Sequence, residues 1–508
     1  MTTSPEVIAP EPKSEEKETR EAEKKSDPAS GETNAKVKTK APTSMRDRLA
    51  KMKAAQRKAG PPTYEQRLDA LDRLEKMLLG HKHDFVKAIS EDFGNRSKHE
   101  TLLAEVFITH GSIKYAREHL REWMDVEPRD VGAVFLPARV EVMNQPLGVV
   151  GIISPWNYPM QLALSPLAGA LAAGNRAMIK PSELVPATSA LLAKLVGATF
   201  SEDEVCVVEG GVDIGAEFAT LPFDHLVFTG STRVGKIVMK AAAENLTPVT
   251  LELGGKSPTI VADDFSIDEA AITILNGKLL NAGQTCIAPD YVLVPKAKLD
   301  AFVEACKTSV AKMYPKLGSN DDYTSIVNEQ HYKRLTGYLD DAKAKGAKIV
   351  EINPGGETLD AGKRKIAPTL VVTPAEDTQI MQEEIFGPIL PVKTYDKLED
   401  AIDYVNDHPR PLALYLFSHD SDKVEAVLEK TVSGGVSINA TMLHIAQDDV
   451  PFGGVGPSGM GHYHGKEGFD TFTKKKAVFY QGRLNGAALL RPPYGKVIDL
   501  LLGFLIGK

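Results

Sequence analysis

The sequence predicts an α/β protein: parallel βαβ units preceded by helices, with a short extended arm between the two. Three observations carry this reading. Short apolar runs at 149–153, 176–179, 205–208 and 225–228 each lead into Gly, Pro or Ser and then a helical stretch, as strands covered on both faces by crossover helices do. Upstream, Leu68, Leu71, Leu74 and Leu78 recur at helical spacing, which predicts a helix over 64–79 and, by the same pattern, a second over 100–123. Residues 132–142 break that pattern and read as two extended pieces around a bend at Pro137.

Composition agrees with a large enzyme and excludes other classes. A chain of 508 residues, 43% hydrophobic and 25% charged, should divide into two or three domains, because single cores stop growing near ~250–300 residues. The net charge of -8 offers no general attraction to nucleic acid or anionic lipid. Cys206, Cys286 and Cys306 are too few and too scattered for a disulfide framework or a metal site, so a cytoplasmic, reducing setting is expected. Residues 1–42 are polar and rich in Glu and Lys, which predicts a disordered tail without the apolar run of an export signal or the acid-poor character of a mitochondrial one. No run of ~18 apolar residues occurs that would cross a bilayer. The apolar stretch 500–506 is too short to span, and is expected to pack on its own or a partner subunit in preference to a membrane interface.

Local motifs suggest chemistry. The run 225–229 enters Gly230-Ser231-Thr232-Arg233-Val234-Gly235 and then a helix over 236–243. A strand, a glycine turn and a helix N-terminus together suit a pyrophosphate, although Thr232 stands where the usual dinucleotide fingerprint has its second glycine. Glu252 lies where that fingerprint places a ribose-binding acid, but the following Leu253-Gly254-Gly255-Lys256 lets backbone approach a reacting centre and suits a catalytic base better. Cys286 closes Asn281-Ala282-Gly283-Gln284-Thr285-Cys286, a loop between a helix over 270–280 and a strand over 291–294. Cys206 and Cys306 read instead as buried residues of a strand and a helix.

These motifs occur in one order with Pro155-Trp156-Asn157-Tyr158-Pro159, Lys180-Pro181-Ser182-Glu183 and Glu383-Glu384-Ile385-Phe386-Gly387-Pro388. By them the chain resembles the aldehyde dehydrogenase superfamily over about 44–493. The glycine-rich run 451–465 resembles the class three branch, and residues 280–293 with Gln447-Asp448-Asp449 are similar to its coniferyl aldehyde dehydrogenases.

The resemblance implies a fold and a set of roles. A Rossmann-like cofactor domain would take 43–128 and 147–249, a catalytic α/β domain 250–440, and a β oligomerisation arm 129–146 and 470–485, leaving 486–508 as a C-terminal apolar segment. Cys286 would attack the aldehyde, with the Asn157 side-chain amide and the Cys286 N–H receiving the oxyanion, and Glu252 activating water against the thioester. NAD or NADP would be bound by Lys180 and Glu183 at the adenosine ribose, Gly230 and Ser231 at the pyrophosphate, and Glu384 and Phe386 at the nicotinamide end. Trp156, Gly235 and Leu253 would complete that cofactor site. Glu183 favours NAD, since a carboxylate accepts from a free 2′-OH and repels a 2′-phosphate. Ile108, Met160, Gln161, Met442 and His444 would line a mostly apolar pocket for a small-molecule aldehyde, aromatic and coniferaldehyde-like in preference to a medium- or long-chain fatty one. Glu252 argues for hydrolysis over transfer to coenzyme A, the intact motifs argue against a non-catalytic descendant, and arms of this kind imply a homodimer.

Overall fold

The computed structural model describes residues 44–483 and 491–507; the tail read at 1–42 lies outside the described residues. Two parallel-based sheets and one small antiparallel sheet organise the rest.

The first sheet has six strands, in the order Gly459–Met460, Val249–Glu252, His225–Thr229, Val149–Ile153, Arg176–Lys180, Val205–Val207. The last five are parallel, and the two-residue Gly459–Met460 runs antiparallel to Val249–Glu252. Val149, Val150, Ile152, Ala177, Met178, Ile179, Leu226 and Val227 are almost wholly enclosed, each such aliphatic larger than alanine contributing about 1.5–3 kcal/mol by leaving water. From Val149–Ile153 the chain winds to one side through Arg176–Lys180, then returns to build the other side from His225–Thr229. The adjacent carboxyl ends at Ile153 and Thr229 therefore form the topological switch point, where an open α/β sheet presents its ligand crevice.

Helices Tyr64–Gly80 and Ile108–Met124 pack on Gln161–Ala172, which is apolar on all sides and buried at 11 of its 12 positions. The expected single helix over 100–123 is broken into Lys98–Thr101, a π-helical turn Leu102–Phe107, and Ile108–Met124. A π turn adds one residue to the helical repeat and rotates side chains off the regular stripe, so the apolar spacing that suggested continuity does not register it.

The second sheet has seven strands: Lys348–Glu351, Thr369–Val372, Ile389–Tyr395, Tyr291–Pro295, Pro258–Val261, Ala413–Phe417, Gly435–Ile438. All neighbours are parallel except the first pair. It begins at Pro258, and Val249–Glu252 belongs to the first sheet. The boundary read at 250 thus falls inside a strand, because Thr250 to Glu252 continue that strand's buried run.

The arm pairs Arg139–Pro146 antiparallel with Thr473–Tyr480 and with Glu127–Arg129. The extended piece expected before Pro137 is instead a 3₁₀ turn, Ala133–Phe135, and the arm sheet reaches back to Glu127. Thr473–Tyr480 is an edge strand with Phe479 and Tyr480 exposed. Near the C-terminus the helix Lys496–Leu505 buries Ile498 but exposes Val497, Leu500, Leu502, Phe504 and Leu505. Among the described residues no helix is long and apolar enough to cross a membrane.

Candidate active site

The loop carrying Cys286 follows helix Ile267–Leu279 and runs through three consecutive left-handed residues, Asn281 (φ 54°), Ala282 (φ 51°) and Gly283 (φ 76°). Only glycine adopts such a conformation without penalty. Polar side chains hold the turn. Buried Gln284 donates from Nε2 to the carbonyls of Asn281 (3.0 Å) and Ser325 (3.1 Å), and its Oε1 accepts from the Val327 N–H (3.0 Å). Thr285 Oγ1 and Tyr158 Oη are hydrogen-bonded at 2.6 Å.

Cys286 is half-buried, whereas Cys206 and Cys306 are buried. Burial first, then the carboxylates of Glu384 and Glu252, push the Cys286 thiol up to about 12. At neutral pH it is therefore a thiol and needs a base to become a nucleophile. Glu252 stands within electrostatic reach of that thiol. It ends its strand at 3% exposure, with no hydrogen-bond partner on either carboxylate oxygen, and burial holds its pKa well above the usual carboxylate range. A carboxyl in that state accepts a proton readily once ionised, which suits a general base.

Asn157 follows the carboxyl end of strand Val149–Ile153 and is 3% exposed. Its side-chain amide donates to the Gln284 carbonyl (3.1 Å), two residues before Cys286, and its main-chain carbonyl accepts from Asn281 Nδ2 (3.0 Å). The amide has a second N–H to offer. The switch point and the cysteine loop are therefore tied together directly.

On the cofactor side, Lys180 ends the strand beside Ile153. Its buried ammonium donates to the Pro181 carbonyl (2.6 Å) and stands 3.6 Å from the more exposed Glu183 carboxylate. Burial lowers the Lys180 pKa, and Glu183 opposes that shift. Ser231 caps helix Thr232–Ala243, accepting from the Val234 N–H (3.4 Å), and Gly230 precedes it at the carboxyl end of its strand. The helix starts at Thr232, earlier than the expected 236, so Gly235 falls within its first turn. A Cβ there would lie 2.7 Å from Leu253 Cδ2. Gly235 and Leu253 thus form a helix-to-strand contact, which sets the approach of the helix to the sheet.

Glu384 rests on Gly254, where a Cβ would come within 2.3 Å of both its oxygens, and accepts from the Gly255 N–H. Burial and then Asp290 raise its pKa to about 8. Lys256 bonds the Asp290 carboxylate and the carbonyls of Ile380 (2.8 Å) and Glu383 (3.0 Å), while Asp290 accepts from the Ile385 N–H (2.9 Å). Phe386, left-handed at φ 51°, meets Trp156 edge-on at 5.4 Å, and Trp156 also meets His331 at 4.9 Å. Cationic and glycine-lined elements at the carboxyl ends of the first sheet, with the Trp156–Phe386 pair beside them, fit a dinucleotide, whose bound nicotinamide would supply the hydride acceptor.

The expected pocket residues separate. Met442 and Ile445 pack with Cys286 on one apolar cluster that contains Tyr415 and Phe452. His444 is fixed by Ser437 Oγ (2.9 Å) and lies 5.8 Å from the Phe452 ring. Ile108, half-buried, begins its helix. Met160 is enclosed in the helical core with its sulfur accepting from Thr109 (3.8 Å), and the Gln161 amide turns back on Ser165 (3.5 Å). Sequence reasoning missed Arg96, Glu100 and Glu105, which are buried, Arg96 in the connection before and the two glutamates within the segment expected as one helix. No local sequence signal marks them, since the π turn that carries Glu105 does not show in the apolar spacing.

The aldehyde dehydrogenase family model matches residues 15–478. A coniferyl aldehyde dehydrogenase of Pseudomonas sp. is 52% identical, covering 90% of this chain and 95% of that one. A 4,4'-diaponeurosporen-aldehyde dehydrogenase of Staphylococcus aureus is 44% identical, covering 85% and 92%. Among solved structures, a substrate-bound state of Staphylococcus aureus AldH superposes with a TM-score of 0.85 at 41% identity, over 90% of this chain and 98% of that one. The chain belongs to the aldehyde dehydrogenase family and is an NAD(P)-dependent oxidoreductase of aldehydes.

Proposed function

We propose that the protein oxidises aromatic, coniferaldehyde-like aldehydes to carboxylic acids with NAD, through a thioester on Cys286. The observation that carries the reaction is the pairing of the Cys286 thiol with a buried, unpartnered Glu252 carboxylate, on a loop that Asn157 ties to the switch point. Glu252 takes the thiol proton as sulfur bonds to the aldehyde carbon. The second N–H of the Asn157 amide and the Cys286 N–H receive the oxygen's charge, a donor of this kind being worth roughly 3–4 kcal/mol. A bound nicotinamide would supply the acceptor for the aldehyde hydrogen as hydride, leaving the acyl group on Cys286 as a thioester. Glu252 passes that proton to solvent and, ionised again, draws a proton from water as it attacks; the C–S bond breaks and the leaving sulfur takes the proton from Glu252, restoring the thiol.

Several finer readings accompany this one. NAD is preferred because the partly exposed Glu183 carboxylate beside Lys180 accepts from a free 2′-OH and repels a 2′-phosphate. The exposed apolar side chains of the arm's edge strand support a homodimer, and three unpaired cysteines support the cytoplasm. Aromatic specificity is supported by the name of the Pseudomonas relative and by Phe452, Tyr415 and Met442 around Cys286. A fatty aldehyde reading draws on the outward-facing apolar side chains of Lys496–Leu505. Comparing kcat/KM for coniferaldehyde and decanal with NAD, against Cys286→Ala, tests both. Coniferaldehyde is expected to win, with no rate in the variant; preference for decanal overturns the aromatic reading.

A further inference from the structure

Arg96 joins helix Lys82–Phe93 to Lys98–Thr101, and its side chain is fully enclosed. Its Nη1 donates to the Asn157 main-chain carbonyl (2.7 Å) and stands 3.1 Å from Glu105 Oε1, on an equally enclosed carboxylate. The guanidinium carbon lies 4.7 Å from the Tyr158 ring and 5.2 Å from that of Phe93. The other Glu105 oxygen accepts from the N–H groups of Met160 (2.9 Å) and Gln161 (3.1 Å), at the start of helix Gln161–Ala172. Glu100 also feels the Arg96 charge, and accepts from the Asn281 N–H (3.0 Å) and from Thr324 Oγ1 (2.5 Å).

Three ionisable groups in a core are an expensive way to hold helices together, since apolar residues of similar volume do so at least as well. Each of these groups instead bonds backbone beside a reacting side chain: Arg96 at Asn157, Glu105 just after it, and Glu100 at the head of the Cys286 loop. Glu105 sits in the π turn Leu102–Phe107, a departure from helical regularity that recurs at functional sites. We propose that Arg96, paired with Glu105 and within electrostatic reach of Glu100, is a positioning residue that aims the Asn157 amide at the developing oxyanion. The inference rests on the oxyanion role given above to Asn157. Both polar contacts run through Nη1, and the guanidinium plane, held over the Tyr158 and Phe93 rings, fixes where that nitrogen sits; a lysine ammonium has no such plane to stack.

The test uses the full-length enzyme with NAD and coniferaldehyde. Arg96→Lys keeps the charge and loses the plane stacked on Tyr158 and Phe93, while the double variant Arg96→Met with Glu105→Met removes both charges and keeps side-chain volume. Pre-steady-state hydride transfer, NAD affinity and alkylation of Cys286 by iodoacetamide, a reaction with no oxyanion, are measured for each. Asn157→Ala should slow hydride transfer by roughly 10²–10³-fold. Arg96→Lys and the double variant should each slow it about 10–100-fold, with NAD affinity and alkylation within about twofold of wild type. Combining Arg96→Lys with Asn157→Ala should be no slower than Asn157→Ala alone, because both act on one donor. Full hydride-transfer rates in Arg96→Lys and the double variant, or losses that multiply with Asn157→Ala, overturn the proposal. A full rate in Asn157→Ala retires the oxyanion reading beneath it.

Discussion

Replacing Gly283 by alanine should disable the enzyme while leaving most of its fold intact. Gly283 holds φ 76°, a region that costs a side-chain-bearing residue roughly 1–2 kcal/mol. The added Cβ would lie 2.3 Å from the Gly387 carbonyl oxygen and 2.9 Å from that of Lys278. To restore 3.0 Å to the Gly387 oxygen, loop and neighbour must part by about 0.7 Å. Neither yields easily: the loop is pinned through Gln284, and the Gly387 segment through Asp290 and Lys256. Displacement therefore reaches Cys286 on one side and the Glu384–Phe386 pair on the other. A misplacement near 1 Å at a reacting centre costs on the order of 10²-fold in rate. The expected result is a fall in kcat/KM of about 100-fold or more, a lower Tm, and slower alkylation of Cys286. Activity within twofold of wild type, at unchanged Tm, would refute the claim that this loop has one permitted backbone path.

Glu252→Gln, which removes the base for both the thiol and the water, should slow the first turnover's reduced cofactor as well as steady turnover, the latter by roughly 10²–10⁴-fold, with NAD affinity kept; loss of NAD affinity would contradict the base role. Because burial raises the Glu252 pKa, the native state holds its proton longer than the unfolded chain, so this group's contribution falls as pH rises from the unfolded value through the folded one. Glu252→Gln should therefore raise Tm increasingly toward alkaline pH, and the wild-type rate should climb over the same window while deprotonation proceeds. Glu183→Gln removes the repulsion toward a 2′-phosphate, and the NADP-to-NAD ratio of kcat/KM should rise roughly tenfold, about 1.4 kcal/mol; an unchanged ratio assigns the preference elsewhere. Light scattering should give twice the 55.0 kDa chain mass for wild type and a smaller particle for Phe479→Asp; a monomeric wild type contradicts the dimer.

The first sheet was legible because strands of a parallel sheet are buried on both faces, so residues such as Val149, Val150 and Ile152 stand together as unbroken apolar runs. The motifs at Asn157, Glu252 and Cys286 were legible for a different reason: polar and reactive residues beside glycine and proline match no packing pattern. What sequence could not supply was long-range pairing. Gly459–Met460 joins Val249–Glu252 across some 200 residues, and nothing local to Thr250 says which sheet it enters. Arg96, Glu100 and Glu105 were illegible because a charged residue in a loop or a helical run carries no local sign of burial, and only the tertiary fold encloses it.

That enclosure has a physical cause in the cysteine loop itself. Three left-handed residues in succession interrupt regular helix and sheet pairing in a region without exposure, and beside the Gln284 N–H to Asn281 carbonyl bond (3.1 Å) the turn draws on side chains. Buried backbone polar groups must be bonded, at about 1–3 kcal/mol for each one left unmet. Side chains provide the bonds: Glu100 for the Asn281 N–H, Gln284 for the Asn281 carbonyl, and Asn157 and Asn281 for the Gln284 carbonyl. Glu100 brings a negative charge into the core, Arg96 answers it and Glu105 as well, and the same guanidinium fixes Asn157. The irregular backbone that presents Cys286 thus demands the polar interior behind it, and that interior includes the side chain assigned to the oxyanion.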